Sequence, residues 1–342
     1  MMLAFLFICV FVHITNVSCY KLPLIQHWNC VGFSNDISQP PYKFNVGEIP
    51  LVAWRTQDNN LISTIDGCKH LGSTLHDGYV ENDCLVCPYH GIPHGIEDSC
   101  GEMIDFDGKL WWRMAGNIKN KLPPKIPYDL EGYSTSYLQV DLDESLPFCA
   151  FNAMDVNHPE FVHSGIQGFG SDVSPEHFTT FLYGSRYVER IGISFDYYSK
   201  KNIQLFNYDS DIGDITTNYN QYIYPSTTWS CISSAGSKSK MVVGVSMLPI
   251  AEQKTRWFVT LRHNYMNNIF GVNLVKMVTK AILNQDNTQF VRQIKNTELK
   301  KYMTFQRKIK FDTPIKIMYQ MLMSYRYPTV SEFIQTLREE NI

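Results

Sequence analysis

The sequence carries little net charge, and its cysteines do not follow a regular pattern. The 30 Lys and Arg residues against 33 Asp and Glu residues give a net charge of −3, which offers no reason to expect nucleic acid as a partner. The 9 cysteines are scattered, unlike the dense, evenly paired framework of a small secreted domain. No internal repeat or low-complexity tract is present. A chain of 342 residues, 44% hydrophobic and 18% charged, is expected to fold as two globular domains of ordinary size.

One short stretch, from Cys68 to His90, carries the strongest chemical signal. It contains two Cys–His pairs, Cys68-Lys-His70 and Cys87-Pro-Tyr-His90, with glycines close to each pair. Two thiolates are able to hold one iron of a [2Fe–2S] cluster and two neutral imidazoles the other, which is the mixed ligation of a Rieske centre. Because each pair offers one sulfur and one nitrogen, the spacing predicts a cluster clamped between two loops.

Zinc is the alternative occupant of these four side chains, because it accepts the same ligand types. Its usual spacings pair cysteine with cysteine and histidine with histidine, whereas this stretch mixes them within each pair. The order of the residues therefore favours the cluster. Cys84 is near in sequence, but a third sulfur would break the two-and-two pattern, so we interpret Cys84 as structural.

A second group of candidate ligands lies between Asn152 and His163 and includes Asp155 and His158. Two histidines and one carboxylate form the facial triad of non-haem Fe(II) oxygenases, which leaves coordination positions open. The spacing of His158 and His163 does not suit one face of a regular helix. Because Pro159 directly follows His158, we expect a helix start or a distortion there that brings the two rings together. Taken alone, this spacing is equally typical of surface or core histidines.

Together the two stretches resemble the motifs of Rieske non-haem iron oxygenases. The stretch Cys68–His90 is similar to the Rieske domain of that family, with Leu71 where an arginine is frequent and Ile92 where an aromatic residue is frequent. The second stretch resembles the N-x2-D-x2-H-x4-H motif of the catalytic domain, and the matching positions are Asn152, Asp155, His158 and His163. The resemblance extends from about residue 26 to about residue 300.

The resemblance implies a ligand set for each of two cofactors. A mononuclear Fe(II) would take two histidines of the second motif and a distant aspartate, and Asp286, on a helix predicted over residues 271–294, fits that place. Other aspartates stay open as rivals for this role, namely Asp172, Asp196, Asp211 and Asp214. The implied ligands of the Rieske-type [2Fe–2S] cluster are Cys68, His70, Cys87 and His90, and those of the iron are His158, His163 and Asp286.

The resemblance gives Asp155 a catalytic role without making it a ligand. In the family, the aspartate at this position bridges a cluster histidine of one subunit and an iron histidine of the neighbouring subunit. Carried over to this sequence, Asp155 would link His90 to His158 across a subunit interface. The chain is therefore expected to form a homotrimer.

The predicted elements and the resemblance give an α+β chain. Short strands separated by turn residues predict an all-β Rieske [2Fe–2S] domain over residues 24–118, followed by a Lys- and Pro-rich connector. Further strands and one long helix predict an open antiparallel sheet packed on helices, which resembles the helix-grip catalytic domain of the family, over residues 128–300. Residues 301–342 are predicted to form C-terminal helices.

Residues 1–20 form an apolar N-terminal segment, long enough for a signal-peptide core and short for a membrane span. A cleaved signal, an anchor and a buried segment are all compatible with it. No twin-arginine signal is present to export a folded protein with a cluster, and Lys21 follows the apolar run. These features favour a cytoplasmic body that is anchored to a membrane by residues 2–15.

The resemblance implies a monooxygenase or dioxygenase that uses O2 to hydroxylate, demethylate or desaturate an apolar or aromatic small molecule. The sequence contains neither a G-x-G-x-x-G nucleotide-binding motif nor a ferredoxin-type C-x4-C-x2-C motif, so a separate ferredoxin or reductase must supply electrons. The short chain and the run Asp155–Gly165 look most like single-subunit O-demethylases and monooxygenases related to vanillate demethylase. The apolar N-terminus points instead to eukaryotic relatives that act on sterols or on chlorophyll breakdown products, such as pheophorbide a oxygenase. The alternative is an electron carrier or redox sensor that keeps only the cluster.

Overall fold

The computed structural model describes residues 24–38, 40–114, 122–163, 176–183, 190–198, 215–234, 239–296 and 312–323. The apolar segment 1–20, which is predicted to be an anchor, lies outside the described residues, as do most of the predicted C-terminal helices. Among the described residues, no helix is both long and apolar enough to span a membrane.

Short antiparallel strands build the N-terminal domain, as the turn pattern predicts. They form three sheets of three strands, in the orders β1-β9-β8, β2-β3-β4 and β5-β6-β7. The strands are β1 (Asn29–Phe33), β2 (Tyr42–Val46), β3 (Ile49–Arg55), β4 (Leu61–Ile65), β5 (Tyr79–Glu81), β6 (Cys84–Val86), β7 (Pro93–His94), β8 (Glu102–Phe106) and β9 (Lys109–Arg113).

Two hairpins of this domain close on two-residue turns that the sequence identifies. Asn82 and Asp83 have φ values of 49° and 65°, and they join β5 to β6. Asp107 and Gly108 have φ values of 56° and 74°, and they join β8 to β9. Positive φ at both central residues matches the twist of the flanking strands, which is why Asn, Asp and Gly are preferred there.

Where it is described, the second domain contains one seven-stranded antiparallel sheet in the order β10-β16-β15-β14-β13-β12-β11. Its strands are β10 (Ser134–Leu142), β11 (Glu176–Tyr183), β12 (Arg190–Tyr198), β13 (Ile215–Ile223), β14 (Thr227–Ser234), β15 (Lys240–Ala251) and β16 (Lys254–His263). Its helices are α1 (Leu146–Met154), α2 (His158–Val162), α3 (Ile269–Ile294) and α4 (Asp312–Met323). The antiparallel sheet packed on helices confirms the predicted α+β fold.

The long helix α3 is positioned by a cap and by one buried stripe. The Asn268 side chain accepts a hydrogen bond from the Gly271 N–H at 2.8 Å, which satisfies one of the unpaired donors at the helix start. Val275, Leu283 and Phe290 are buried in the core between the helices and the sheet. Asp286 is buried on the same stripe, at a position where the helical period calls for an apolar side chain.

The two domains pack against each other through apolar and charged contacts. Phe258 of β16 is buried in the core of the N-terminal domain, and its ring packs edge-on against Phe33 at a centroid distance of 5.4 Å. Arg262 of β16 donates to Asp107 at 2.6 Å, and both side chains are almost fully buried. This interface fixes the turn after β8 on the second sheet.

Candidate metal centres

The two cysteines of the first motif begin loops of the same shape. In each loop the cysteine N–H donates to the carbonyl of the last loop residue, and a glycine N–H donates to the cysteine carbonyl. The N···O distances are both 2.8 Å in loop Cys68–Ser73, and they are 2.9 and 3.0 Å in loop Cys87–Ile92. Gly72 and Gly91 have φ values of +72° and +69°, a conformation that glycine adopts without steric cost. The glycines of the motif therefore close the loops.

The loops place sulfur inside the domain and nitrogen at its surface. Cys68 and Cys87 are 4% and 1% exposed, whereas His70 and His90 are exposed. The two imidazole rings lie 4.9 Å apart between centroids. The four residues predicted to hold the cluster thus come together, with two buried sulfurs that neighbour each other and two exposed imidazoles.

The environment of Cys87 favours a thiolate. Burial alone would raise its pKa, but the hydrogen bonds that it accepts from the backbone N–H groups of Tyr89 and His90 outweigh the burial, together with side-chain contacts from Cys68 and Ser73, and the pKa is lowered. A thiolate is the form of cysteine that ligates metals. The donor set and this electrostatic environment fit a [2Fe–2S] cluster.

The second motif folds as two helices with a break between them. Helix α1 ends at Met154, Asp155 follows in extended conformation, and α2 begins at His158. His158 and His163 occupy the two ends of the short helix α2, and their rings meet edge-on at a centroid distance of 5.1 Å. The prediction that Pro159 marks a helix start that brings both rings together is confirmed.

Asp286 of α3 joins these two histidines. Its Oδ1 lies 3.6 Å from Nε2 of His158 and 3.3 Å from Nε2 of His163. One ligand atom from each of the three residues lies within 4.8 Å of the others. Asn152 of α1 donates its amide to the same Oδ1 at 3.1 Å. The site is therefore assembled from three helices.

Hydrogen bonds at Nδ1 orient both imidazoles. Nδ1 of His158 lies 2.9 Å from the backbone carbonyl oxygen of Asp155, and Nδ1 of His163 lies 3.1 Å from Oε1 of Gln285. Both partners are acceptors, so the proton of each neutral ring belongs on Nδ1. The Nε2 lone pairs then point toward the carboxylate, which is the arrangement that metal-binding histidines require.

Burial controls the charges at this site. It lowers the pKa of His158 to about 4, against a hydrogen bond to Asp155 that raises it. It also lowers the pKa of His163 to about 4, with a further contribution from His158. Burial raises the pKa of Asp286 to about 7, although the Asn152 amide favours the charged form. The histidines are neutral at pH 7, so their contacts with Asp286 are not ion pairs, and a divalent cation would supply the missing positive charge.

Asp155 lies beside this group without facing its centre. Its Oδ1 accepts a hydrogen bond from the Asn157 N–H at 2.9 Å, while its backbone carbonyl is the hydrogen-bond partner of His158 Nδ1. Burial raises the pKa of its carboxyl to about 6. Within one chain, the contact between Asp155 and His158 is therefore made by the backbone.

Among the rival aspartates, the described residues include only Asp196, which lies on β12 in register with Glu176 of the edge strand β11 and is not in the metal-binding group. Asp172, Asp211 and Asp214 lie outside the described residues. Sequence reasoning missed Gln285, because its role depends on helix packing, and it missed His94, which contacts Cys68. No signal in the sequence separates either residue from an ordinary polar one.

Comparisons with known proteins relate the first domain to a family and the whole fold to solved structures. Residues 27–107 match the Rieske [2Fe-2S] domain family. Aminopyrrolnitrin oxygenase PrnD of Pseudomonas fluorescens is 29% identical over 85 residues, which are 25% of this chain and 23% of the relative. The oxygenase component of dicamba O-demethylase from Stenotrophomonas maltophilia is 26% identical over 162 residues, which are 40% of this chain and 46% of the relative. The matched segments thus span less than half the length of these curated relatives.

Solved structures extend the likeness over nearly the whole chain. Dicamba monooxygenase bound to 3,6-dichlorosalicylic acid superposes with a TM-score of 0.73 at 14% identity, covering 89% of this chain and 97% of that one. NdmA of Pseudomonas putida with caffeine gives a TM-score of 0.64 at 15% identity, covering 87% of this chain and 89% of that one. The fold is therefore that of a Rieske domain joined to a sheet-and-helix domain. The chain carries a Rieske [2Fe-2S] domain, and the two curated relatives are named as an oxygenase and as the oxygenase component of an O-demethylase.

Proposed function

We propose that this chain is the oxygenase component of a Rieske non-haem iron system, which uses O2 and external electrons to hydroxylate, demethylate or desaturate an apolar or aromatic small molecule. One observation carries the proposal. Downstream of a Rieske domain, two neutral histidines and a buried carboxylate offer Nε2, Nε2 and Oδ1 within 4.8 Å of one another. Two histidines and one carboxylate suit an Fe(II) that keeps positions open for O2. An electron carrier would have no use for this second group.

Two cofactors have residues to hold them. The iron would be bound by His158, His163 and Asp286, whose ligand atoms already face one another. When bound, the cluster supplies single electrons and the Fe(II) supplies O2 activation. The [2Fe–2S] cluster would be bound by Cys68, His70, Cys87 and His90.

The protein's own contribution at the iron site is orientation and charge. Gln285 and the Asp155 carbonyl keep a proton on each Nδ1, so that both Nε2 atoms stay available as ligands. Asn152 donates to Asp286 and thereby favours its ionised form. Burial lowers the pKa values of both histidines and so keeps them neutral at pH 7.

A homotrimer would bring the two centres together, with Asp155 linking His158 of one subunit to His90 of the next. The surface at the exposed ligands supports such a contact. Leu71 is 66% exposed and Tyr89 is 65% exposed, and they flank the exposed histidines. Apolar side chains around exposed ligands suit a surface that becomes buried against a neighbouring subunit.

The electron donor is proposed to be a separate ferredoxin or reductase, and the substrate to be apolar or aromatic. The names of the relatives support this choice, since they include an O-demethylase and an aminopyrrolnitrin oxygenase. Membrane attachment through residues 2–15 stays a prediction from the sequence.

Metal and labile-sulfide analysis of anaerobically purified protein tests the proposal. We expect about three irons and about two sulfides per chain, together with a Rieske spectrum. Asp286→Asn should retain the sulfides and the spectrum and lose about one iron. If wild type holds about two irons that added Fe(II) does not raise, the electron carrier is the correct function. Zinc without sulfide would reject both functions.

A further inference from the structure

A histidine outside both motifs contacts one of the cluster cysteines. His94 lies on β7, in register with Leu85 of β6, and is 2% exposed. Its Nε2 lies 3.4 Å from Sγ of Cys68. The two-residue strand therefore presents an imidazole to the sulfur from inside the domain.

The other nitrogen of His94 faces a carboxylate. Nδ1 lies 3.1 Å from Oδ2 of Asp98, whose second oxygen pairs with Lys69 of the first loop. The backbone of Asp98 is held by Thr64, whose Oγ1 donates to its carbonyl at 2.6 Å. The orientation of the ring is thus fixed from both ends.

The chemistry of the two neighbours decides what His94 does. A ligating cysteine is a thiolate, which accepts hydrogen bonds and has none to donate. Asp98 is an acceptor as well. A ring that donates to both neighbours carries one N–H on Nε2 and another on Nδ1, and a hydrogen bond to an anionic sulfur is charge-assisted.

We propose that His94 donates a hydrogen bond from Nε2 to Sγ of Cys68 and thereby raises the reduction potential of the cluster, with Asp98 orienting the ring. The inference rests on the proposed ligation by Cys68. Reduction adds negative charge to the cluster and its thiolates, so a donor at the sulfur stabilises the reduced form more than the oxidised form. His94 acts through Cys68 and has no contact with substrate, which makes it a positioning residue.

The test is an EPR-monitored redox titration of the full chain with its cluster. His94→Phe keeps a buried ring and removes the donor. We expect its reduction to be about tenfold less favourable, which lowers the midpoint by about 59 mV for a one-electron couple. His94→Gln retains an N–H and should recover part of the shift. Iron and sulfide contents are measured for each variant.

Two further variants separate the hydrogen bond from a structural effect. Ser99→Ala removes another hydrogen bond of the same turn, from Ser99 Oγ to the Gly101 carbonyl at 3.2 Å, while the side chains of His94 and Asp98 are unchanged, and it should leave the midpoint at the wild-type value. Asp98→Asn weakens the orienting acceptor and should lower the midpoint by less than His94→Phe. This variant carries the test if His94→Phe fails to load its cluster.

The inference is overturned if His94→Phe binds its cluster and has the wild-type midpoint. If His94→Phe does not bind a cluster, a wild-type midpoint in Asp98→Asn overturns it instead. It is also overturned if Ser99→Ala lowers the midpoint as much as His94→Phe, since a disturbance of the turn would then be the cause. A wild-type protein without sulfide would instead reject the cluster site itself.

Discussion

Nε2 of His163 lies 3.3 Å from Oδ1 of Asp286, and both side chains are almost fully buried. One residue ends the short helix α2 and the other lies in the middle of α3. A neutral imidazole supplies no positive charge to the buried carboxylate that its Nε2 faces, so the carboxyl group either keeps a proton or binds a cation. This relationship is the basis for the predictions about metal binding.

Gln285→Ala should weaken binding of divalent metal at the second site by about tenfold to about a hundredfold. The substitution removes the acceptor at Nδ1 of His163, so the ring loses the bond that fixes its tautomer and orientation. Anaerobic Co(II) titration followed by visible spectroscopy measures the affinity. Asn284→Ala, at the exposed neighbouring position, is the matched control and should bind like wild type. Equal affinities for both variants would show that Gln285 has no orienting role.

Metal affinity at this site should fall as the pH is lowered below 7. Burial raises the pKa of metal-free Asp286 to about 7, so at pH 6 binding must displace a proton, whereas at pH 8 the carboxylate is free. The affinity should therefore drop by about tenfold between pH 8 and pH 6. The histidines, with pKa values of about 4, add nothing in this range. Calorimetry in buffers of different ionisation enthalpy should detect a released proton at pH 6 and almost none at pH 8, and equal affinities at the two pH values would contradict the prediction.

Asp155→Asn should leave both metals bound and nearly abolish turnover, because the residue is proposed to join the two centres rather than to ligate either. Mixed trimers test whether the link crosses subunits. We expect Asp155→Asn subunits, which have a cluster, to restore activity when they are assembled with Cys87→Ala subunits, which have an intact Asp155. Turnover near wild type in Asp155→Asn, or no recovery in mixed trimers, would contradict the bridge.

Asp107→Asn should lower the free energy of unfolding by about 3 kcal/mol, because it removes the charge that compensates the buried Arg262 between the domains. Asparagine tolerates the positive φ of this turn, so the loss reports on the charge. Urea unfolding measures the change. Asp105→Asn breaks a partly exposed pair with Arg55 and should cost about 1 kcal/mol or less. If the two variants lose the same stability, the pair between the domains has no special weight.

The sequence identifies residues whose role follows from local chemistry. Cys68 and Gly72 belong to one loop, which a few residues are enough to close. The cluster loops can therefore be predicted from the local sequence without the rest of the fold. The same holds for Pro159, which starts α2 and separates the two histidines. The backbone contact from Asp155 to His158 was not predicted, because it depends on where α1 ends.

The amino-acid sequence by itself determined the types of ligand, the loops that carry them and the succession of strands and helices, because these depend on neighbours in the chain. Only the tertiary structure decided that Asp286 faces His163, that Gln285 orients that ring and that His94 reaches Cys68. Each of these contacts joins separate elements. The packing of α3 and the pairing of β6 with β7 bring the partners together. Hydrophobic periodicity predicts which face of an element is buried, but it does not predict which polar side chain contacts that face.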